Sequence, residues 1–206
     1  MKLIFATNNE NKIIEVQALL NKKFEVQSLK DINCFDEIVE NKKTIKGNAI
    51  LKAEYIYNKY KANCFADDTG LEVDALNGLP GVMSKRFSGL KDYSSEKNIS
   101  KLLSMMKSLS NRKAKFKTVI ALILNGELSV FTGICEGEII FTKKGSKGFG
   151  YDPVFKPSGY KFTFAEMDLE TKNTIGHRAK AVKKLIEFLS KKWYPLINTI
   201  FALLNP

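Results

Sequence analysis

The chain has 206 residues, 44% of them apolar and 27% charged. That suits one domain or two lobes about a cleft, and it excludes disorder as the main state. The balance of 33 basic against 22 acidic residues gives +11, which attracts polyanions; yet only Arg86, Arg112 and Arg178 are arginine, and lysine lacks the planar fork that reads base edges, so sequence-specific DNA binding is not supported.

Lys2–Ala6 predicts a short buried strand, followed by a helix over Asn11–Leu20 with Ile13, Ile14, Val16, Leu19 and Leu20 inward. Phe24–Ser28 reads as a second strand, a β-α-β opening of the α/β class. Lys30–Lys43 reads as a loop. Ile45–Tyr60 carries a helical apolar stripe, and Cys64–Ala66 is a brief strand stopping at Asp67-Asp68-Thr69-Gly70. Leu71–Gly89 holds too many glycines and prolines for a regular element. Ser95–Met106 predicts a helix. Ala114–Leu124 and Leu128–Cys135 flank Asn125-Gly126, a strong hairpin signal because both residues tolerate φ > 0. Gly137–Phe141 continues the sheet, Lys143–Tyr160 reads as a Gly/Pro-rich loop, and His177–Lys191 as a helix. Beyond it lies an apolar tail, 193–206, broken by Pro195.

The longest apolar run, Val119–Leu124, is far below the ~20 residues that cross a bilayer. Leu3–Ala6 is too short for a secretory core, so no membrane association and a cytoplasmic location are expected. Cys34, Cys64 and Cys135 lack CxxC spacing and read as small buried hydrophobes; His177 is the one histidine. A metal would therefore be held mainly by carboxylates, which points to Mg²⁺ or Mn²⁺.

Four segments carry more polar chemistry than a plain core needs. Thr7-Asn8-Asn9-Glu10-Asn11-Lys12 opens a helix after a buried strand. Helix N–H groups and a lysine there suit an anion, or Asn and Thr simply cap the helix. Asp67-Asp68 follow an apolar run, where a carboxylate at the core edge needs a metal or a cation. Gly148-Phe149-Gly150-Tyr151-Asp152 offers close backbone approach and aromatics able to stack on a base. Lys172…His177-Arg178 groups cationic donors at a helix start.

Taken together, FATNNENKIIE, FADDTGLEVDALNGLPGVMSKRFSG, GFGYDPVFKPSGYKFTFAEM and KNTIGHRAKA closely resemble the inosine/xanthosine triphosphate pyrophosphatase family. They stand in family order across residues 5–181. The resemblance implies an α/β fold, an elongated mixed sheet with flanking helices, two lobes around a central nucleotide cleft, and a homodimer. It implies Mg²⁺-dependent hydrolysis of ITP, dITP and XTP to the monophosphate and pyrophosphate, with no stable nucleic-acid partner. By the same resemblance Thr7–Lys12 and Lys52 contact the phosphates, and Asp68 is the catalytic and metal-binding aspartate. Thr69 touches substrate, Phe149, Gly150, Tyr151 and Asp152 surround base and sugar, and Lys172, His177 and Arg178 recognise the purine. The second metal-binding acid is Glu40 by spacing to Thr44, with Glu37 its rival; Asp67 is the alternative base to Asp68. Gly47 and Gly176 depart from the family pattern: the first is expected to delay its helix, the second to loosen the clamp on the base. Two other readings are a basic nucleic-acid-binding module, using a face of Lys180, Lys183, Lys184, Lys191 and Lys192, and a general triphosphatase that releases orthophosphate.

Overall fold

The computed structural model describes residues 1–20, 24–89, 91 and 93–204, with side chains as far as residue 192. Six strands form one sheet in the order β2-β1-β3-β4-β5-β6. β1 (Lys2–Phe5) and β2 (Glu25–Ser28) run parallel, joined by α1 (Glu10–Leu19); β3 (Cys64–Val73) lies parallel to β1 on its other side. From there the sheet turns antiparallel through β4 (Lys113–Leu124), β5 (Glu127–Ile139) and β6 (Phe155–Pro157). Asn125 and Gly126, at φ 51° and 86°, make the β4–β5 turn, the left-handed pair that matches strand twist.

Three apolar clusters build two lobes. In the first lobe α2 (Ile45–Tyr60) sets Ile45, Ala49, Ala53 and Ile56 on one sheet face, against Ile4, Ala6, Cys64 and Ala66. On the opposite face α5 (His177–Leu204) brings Val182, Leu185 and Leu189 onto Leu3, Phe5 and Phe65, with Val16 of α1 beside them. Phe5 and Phe65 stack at 4.5 Å on the parallel pair; burying such a side chain stabilises by ~2–3 kcal/mol. The second lobe gathers Leu71, Val73, Phe116, Phe155 and Phe164 under α3 (Ser95–Met105). The long strands β3, β4 and β5 pass through both lobes, and the cleft opens where the clusters part.

Several expectations are corrected. β3 does not stop at Ala66: β4 pairs with every residue from Cys64 to Val73, so the sheet satisfies the backbone and Asp67-Asp68 stand within the strand. β5 runs unbroken through Gly133 and Gly137. At Gly133 the glycine is there for contact: a Cβ would lie 2.0 Å from the His177 carbonyl oxygen and 2.5 Å from the Ala181 nitrogen, so only a glycine lets α5 sit on the strand. Gly47 does not delay α2. Thr44 caps it, its Oγ accepting from the Gly47 N–H at 2.9 Å. Ile14 is 53% exposed; α1 turns Ile13, Val16, Leu19 and Leu20 inward instead.

β6, which completes the sheet edge, appears inside the segment read as a loop, and α4 (Leu169–Ile175) forms where no element was expected. α5 continues past Pro195 to Leu204, and the side chains of the apolar tail 193–206 lie outside the described residues. The three cysteines are buried and free. Among the described residues no helix is long and apolar enough to cross a membrane.

Candidate active site

Strand periodicity organises the site. Side chains alternate across a strand, so adjacent Asp67 and Asp68 enter different faces of β3, Asp67 meeting cations of α1 and α5 and Asp68 one of α2. Asp67 is 1% exposed. Its Oδ1 accepts from Lys12 Nζ at 2.8 Å, and its Oδ2 from Arg178 Nε at 3.0 Å. Burial raises the Asp67 carboxyl, but Lys12 and Arg178 outweigh it and hold the group well below the usual carboxylate range.

Arg178, 2% exposed, ties this face together. Besides Asp67 it donates from Nη1 to Glu15 Oε2 and from Nη2 to Thr69 Oγ1 at 3.1 Å. Glu15 also accepts from Lys172 Nζ at 2.8 Å, and Lys172 donates to Asp152 Oδ2 at 2.6 Å. The buried charges of α1, β3, α4 and α5 thereby neutralise one another, which is what makes their burial tolerable. Glu15 was missed in the sequence reading, although an acid beside Val16 on the inward side of α1 was a signal that it had partners. Lys172 sits in the last turn of α4, where the helix dipole favours a cation, while His177 and Arg178 open α5. The expected single cationic helix start is two helix ends meeting at Gly176, whose N–H closes α4 on the Lys172 carbonyl at 2.8 Å.

Asp68 stands in a different environment. Lys52 Nζ donates to Glu40 Oε1 at 2.6 Å and lies 3.7 Å from Asp68 Oδ1; Arg86 approaches Glu40 Oε2 at 3.7 Å. Asp68 Oδ2 is buried without a hydrogen-bond partner among the described residues. Burial pushes the Asp68 carboxyl up despite Lys52 and Lys12. In Glu40 burial acts the same way, but Lys52 outweighs it and lowers the group.

Two carboxylates sharing a lysine, one with an orphan oxygen, fit a hard divalent cation that takes its remaining ligands from water and phosphate. Among the described residues no group of three or more His, Cys, Asp or Glu side chains forms a closed metal cage. Glu40 is the acid that shares Lys52 with Asp68; Glu37 also lines the cleft.

The cleft has a volume of about 620 Å³. Thr7, Asn8, Asn9, Asn11, Lys12, Glu40, Lys52, Asp68 and Thr69 line it, as do Phe149, Gly150, Tyr151, Asp152, Lys172, His177 and Arg178. Glu10, exposed on the first turn of α1, does not. Asn9 is also the α1 N-cap, its Oδ1 accepting from the Lys12 N–H at 3.2 Å, so the capping role expected as an alternative is present as well. Tyr151 is a core residue: it is 4% exposed and its hydroxyl donates to the Ser84 carbonyl at 3.0 Å. Phe149, half-buried beneath Lys172 and Arg178 at 5.1 and 5.6 Å, is the aromatic left to stack on a ring. His177 lies face-on to Phe116 at 4.7 Å, and its Nδ1 is 2.7 Å from Thr118 Oγ1. Burial and the charges of Arg178 and Lys172 hold its pKa well below 6.5, so the ring is neutral at pH 7.

Comparison with known proteins agrees with this geometry. Residues 3–188 match the Ham1 family. A dITP/XTP pyrophosphatase of Flavobacterium johnsoniae is 56% identical over 92% of this chain and 98% of its own, and one of Christiangramia forsetii is 53% identical over 93% and 100%. Among solved structures, the Staphylococcus aureus Ham1 protein superposes with a TM-score of 0.84 at 36% identity, covering 93% of this chain and all of its own. A HAM1 protein from Coxiella burnetii gives 0.85 at 34% identity, over 93% and 99%.

Proposed function

The chain belongs to the Ham1 family, and from that membership we propose that it hydrolyses the deaminated purine nucleoside triphosphates ITP, dITP and XTP to monophosphate and pyrophosphate, keeping them out of DNA and RNA. Its 206 residues act as one pyrophosphatase domain. The observation that carries the reading is the cleft itself, lined by Asp68, Lys12 and Lys52 together with Phe149, His177 and Arg178.

Lys12, Lys52 and the opening of α1 hold the triphosphate, and the base lies against Phe149. Asp68 takes the proton of the attacking water, whose oxygen bonds to the α-phosphorus as the bond to the bridging oxygen breaks and pyrophosphate leaves. A carboxylate raised by burial suits that task; Asp67, held low by two cations, does not. Asp68 and Glu40 would hold Mg²⁺, with Mn²⁺ as substitute. Such an ion supplies charge neutralisation on the phosphates and a more acidic water. Among the described residues Arg178 uses three of its five N–H groups, on Asp67, Glu15 and Thr69, and keeps two. With a neutral His177 beside it, it favours a 6-oxo acceptor over adenine's 6-amino donor.

Part of the basic face proposed for nucleic acid is tied to the protein: Lys180 and Lys184 donate to the Ile134 and Thr132 carbonyls, and Lys192 pairs with Glu127. The homodimer and the cytoplasmic location belong to the same reading, supported by the family resemblance and tested by native mass and cell fractionation. For the reaction, ITP, XTP, dITP, GTP and ATP are supplied with Mg²⁺ and the product is identified. Pyrophosphate from ITP, dITP and XTP is expected, with loss in excess chelator and recovery with Mg²⁺ or Mn²⁺. Orthophosphate as product, or ATP turned over as fast as ITP, would overturn the reading.

A further inference from the structure

Thr69 of β3, Thr118 of β4 and Gly133 of β5 stand opposite one another in register, and the first turn of α5 rests on this row. The His177 backbone presses on Gly133, its ring meets Thr118 and the Arg178 guanidinium reaches Thr69. The contacts form an unbroken chain: Arg178 Nη2 to Thr69 Oγ1 at 3.1 Å, Thr69 Oγ1 to Thr118 Oγ1 at 2.6 Å, Thr118 Oγ1 to His177 Nδ1 at 2.7 Å.

Its direction follows from donor arithmetic. A guanidinium only donates, and each hydroxyl has a single proton to give. Thr69 Oγ1 therefore accepts from Arg178 and passes its own proton to one of two neighbours. Thr118 lies at 2.6 Å. Asp67 Oδ2 lies at 3.5 Å and already accepts from Arg178 Nε. At 3.5 Å Asp67 lies beyond the 2.5–3.0 Å of an O–H···O bond, which leaves Thr118 as the one acceptor at bonding distance for the Thr69 proton, so Thr118 gives its own to His177 Nδ1.

We infer that Thr118 is a specificity-determining positioning residue: through the relay Arg178–Thr69–Thr118 it fixes His177 with the proton on Nε2, as a hydrogen-bond donor to the base. His177 lines the cleft, and its Nε2 takes no hydrogen bond among the described residues, which leaves that nitrogen for a ligand. A neutral ring with an N–H at that position matches a 6-oxo purine and opposes a 6-amino group. The inference deepens the proposed function and rests on it for the identity of the ligand, whereas the proton arrangement can be tested without any ligand.

His177 is the chain's one histidine, so ¹⁵N-histidine labelling gives a single imidazole whose nitrogen shifts report tautomer and charge. At pH 7.5 the wild-type protein should show the Nε2–H form. Thr118→Val keeps shape but removes the hydroxyl; Thr69 can then turn to Asp67. That variant should lose the tautomer preference and lower the ITP/ATP ratio of kcat/KM by about tenfold, while Thr118→Ser restores both. An Nδ1–H or imidazolium spectrum in the wild-type protein would overturn the relay, with no need for a folded variant. So would a Thr118→Val protein with an unchanged tautomer; an altered tautomer with an unchanged ratio would remove the role in base choice. If the wild-type protein released no pyrophosphate from ITP, the functional reading would fail while the spectrum still decided the relay.

Discussion

Asp67 and Asp68 are neighbours in the chain and opposites in the fold. On one face of β3, Asp67 is saturated: Lys12 and Arg178 take its two oxygens, and Glu15 and Lys172 extend the pairing into α1 and α4. On the other face Asp68 keeps a buried oxygen with no partner, and its nearest cation leans toward Glu40. In the proposed reaction, spent hydrogen-bonding capacity suits Asp67 to a structural part. Capacity left over, at a group whose carboxyl burial pushes up, suits Asp68 to the chemistry.

The contrast is broken most forcefully from the saturated side. Asp67→Asn should leave Lys12 and Arg178 short of a buried countercharge, costing ~3–5 kcal/mol in denaturant unfolding. A loss below ~1 kcal/mol would mean that the helices hold those cations unaided. Asp68→Asn should do the reverse, lowering kcat by ~10²-fold or more, which is ~2.7 kcal/mol of barrier, with an unchanged or raised Tm. Near wild-type turnover would take the chemistry away from Asp68.

Arg178→Lys sharpens the comparison, because one ammonium cannot serve Asp67, Glu15 and Thr69 together. The ITP/ATP preference should shrink by a factor worth ~1–3 kcal/mol, and stability should fall with it. A constant ratio with both rates lowered would confine Arg178 to the saturated, structural face.

The smallest effect concerns pH. The unfolded chain protonates His177 near pH 6.5, and the folded ring resists protonation. The unfolded state therefore binds more protons below that pH. Stability is retained above ~6.5 and falls at lower pH, by up to ~1.4 kcal/mol per unit. Unfolding free energies at pH 7.5 and 5.5, compared between wild type and His177→Gln, check this. The variant should lose less on acidification, and equal losses would place the sensitivity elsewhere.

The sequence by itself determined the local and the chemical. The 3.6-residue stripe placed α2 at Ile45–Tyr60, Asn125-Gly126 placed the hairpin, and the four polar segments supplied Lys12, Asp68, Phe149, Lys172, His177 and Arg178 to the cleft. These signals act over a few residues: a cap, a turn, a period. The tertiary structure decided that β3 runs on through two aspartates, that those aspartates part company, and that Glu15 and Thr118 meet Arg178 and His177. The partners concerned lie far apart in the chain, 111 residues between Asp67 and Arg178 and 163 between Glu15 and Arg178. A buried charge announces that it needs a countercharge; which one it meets is settled only when β3 pairs with β4 and α5 seats on Gly133.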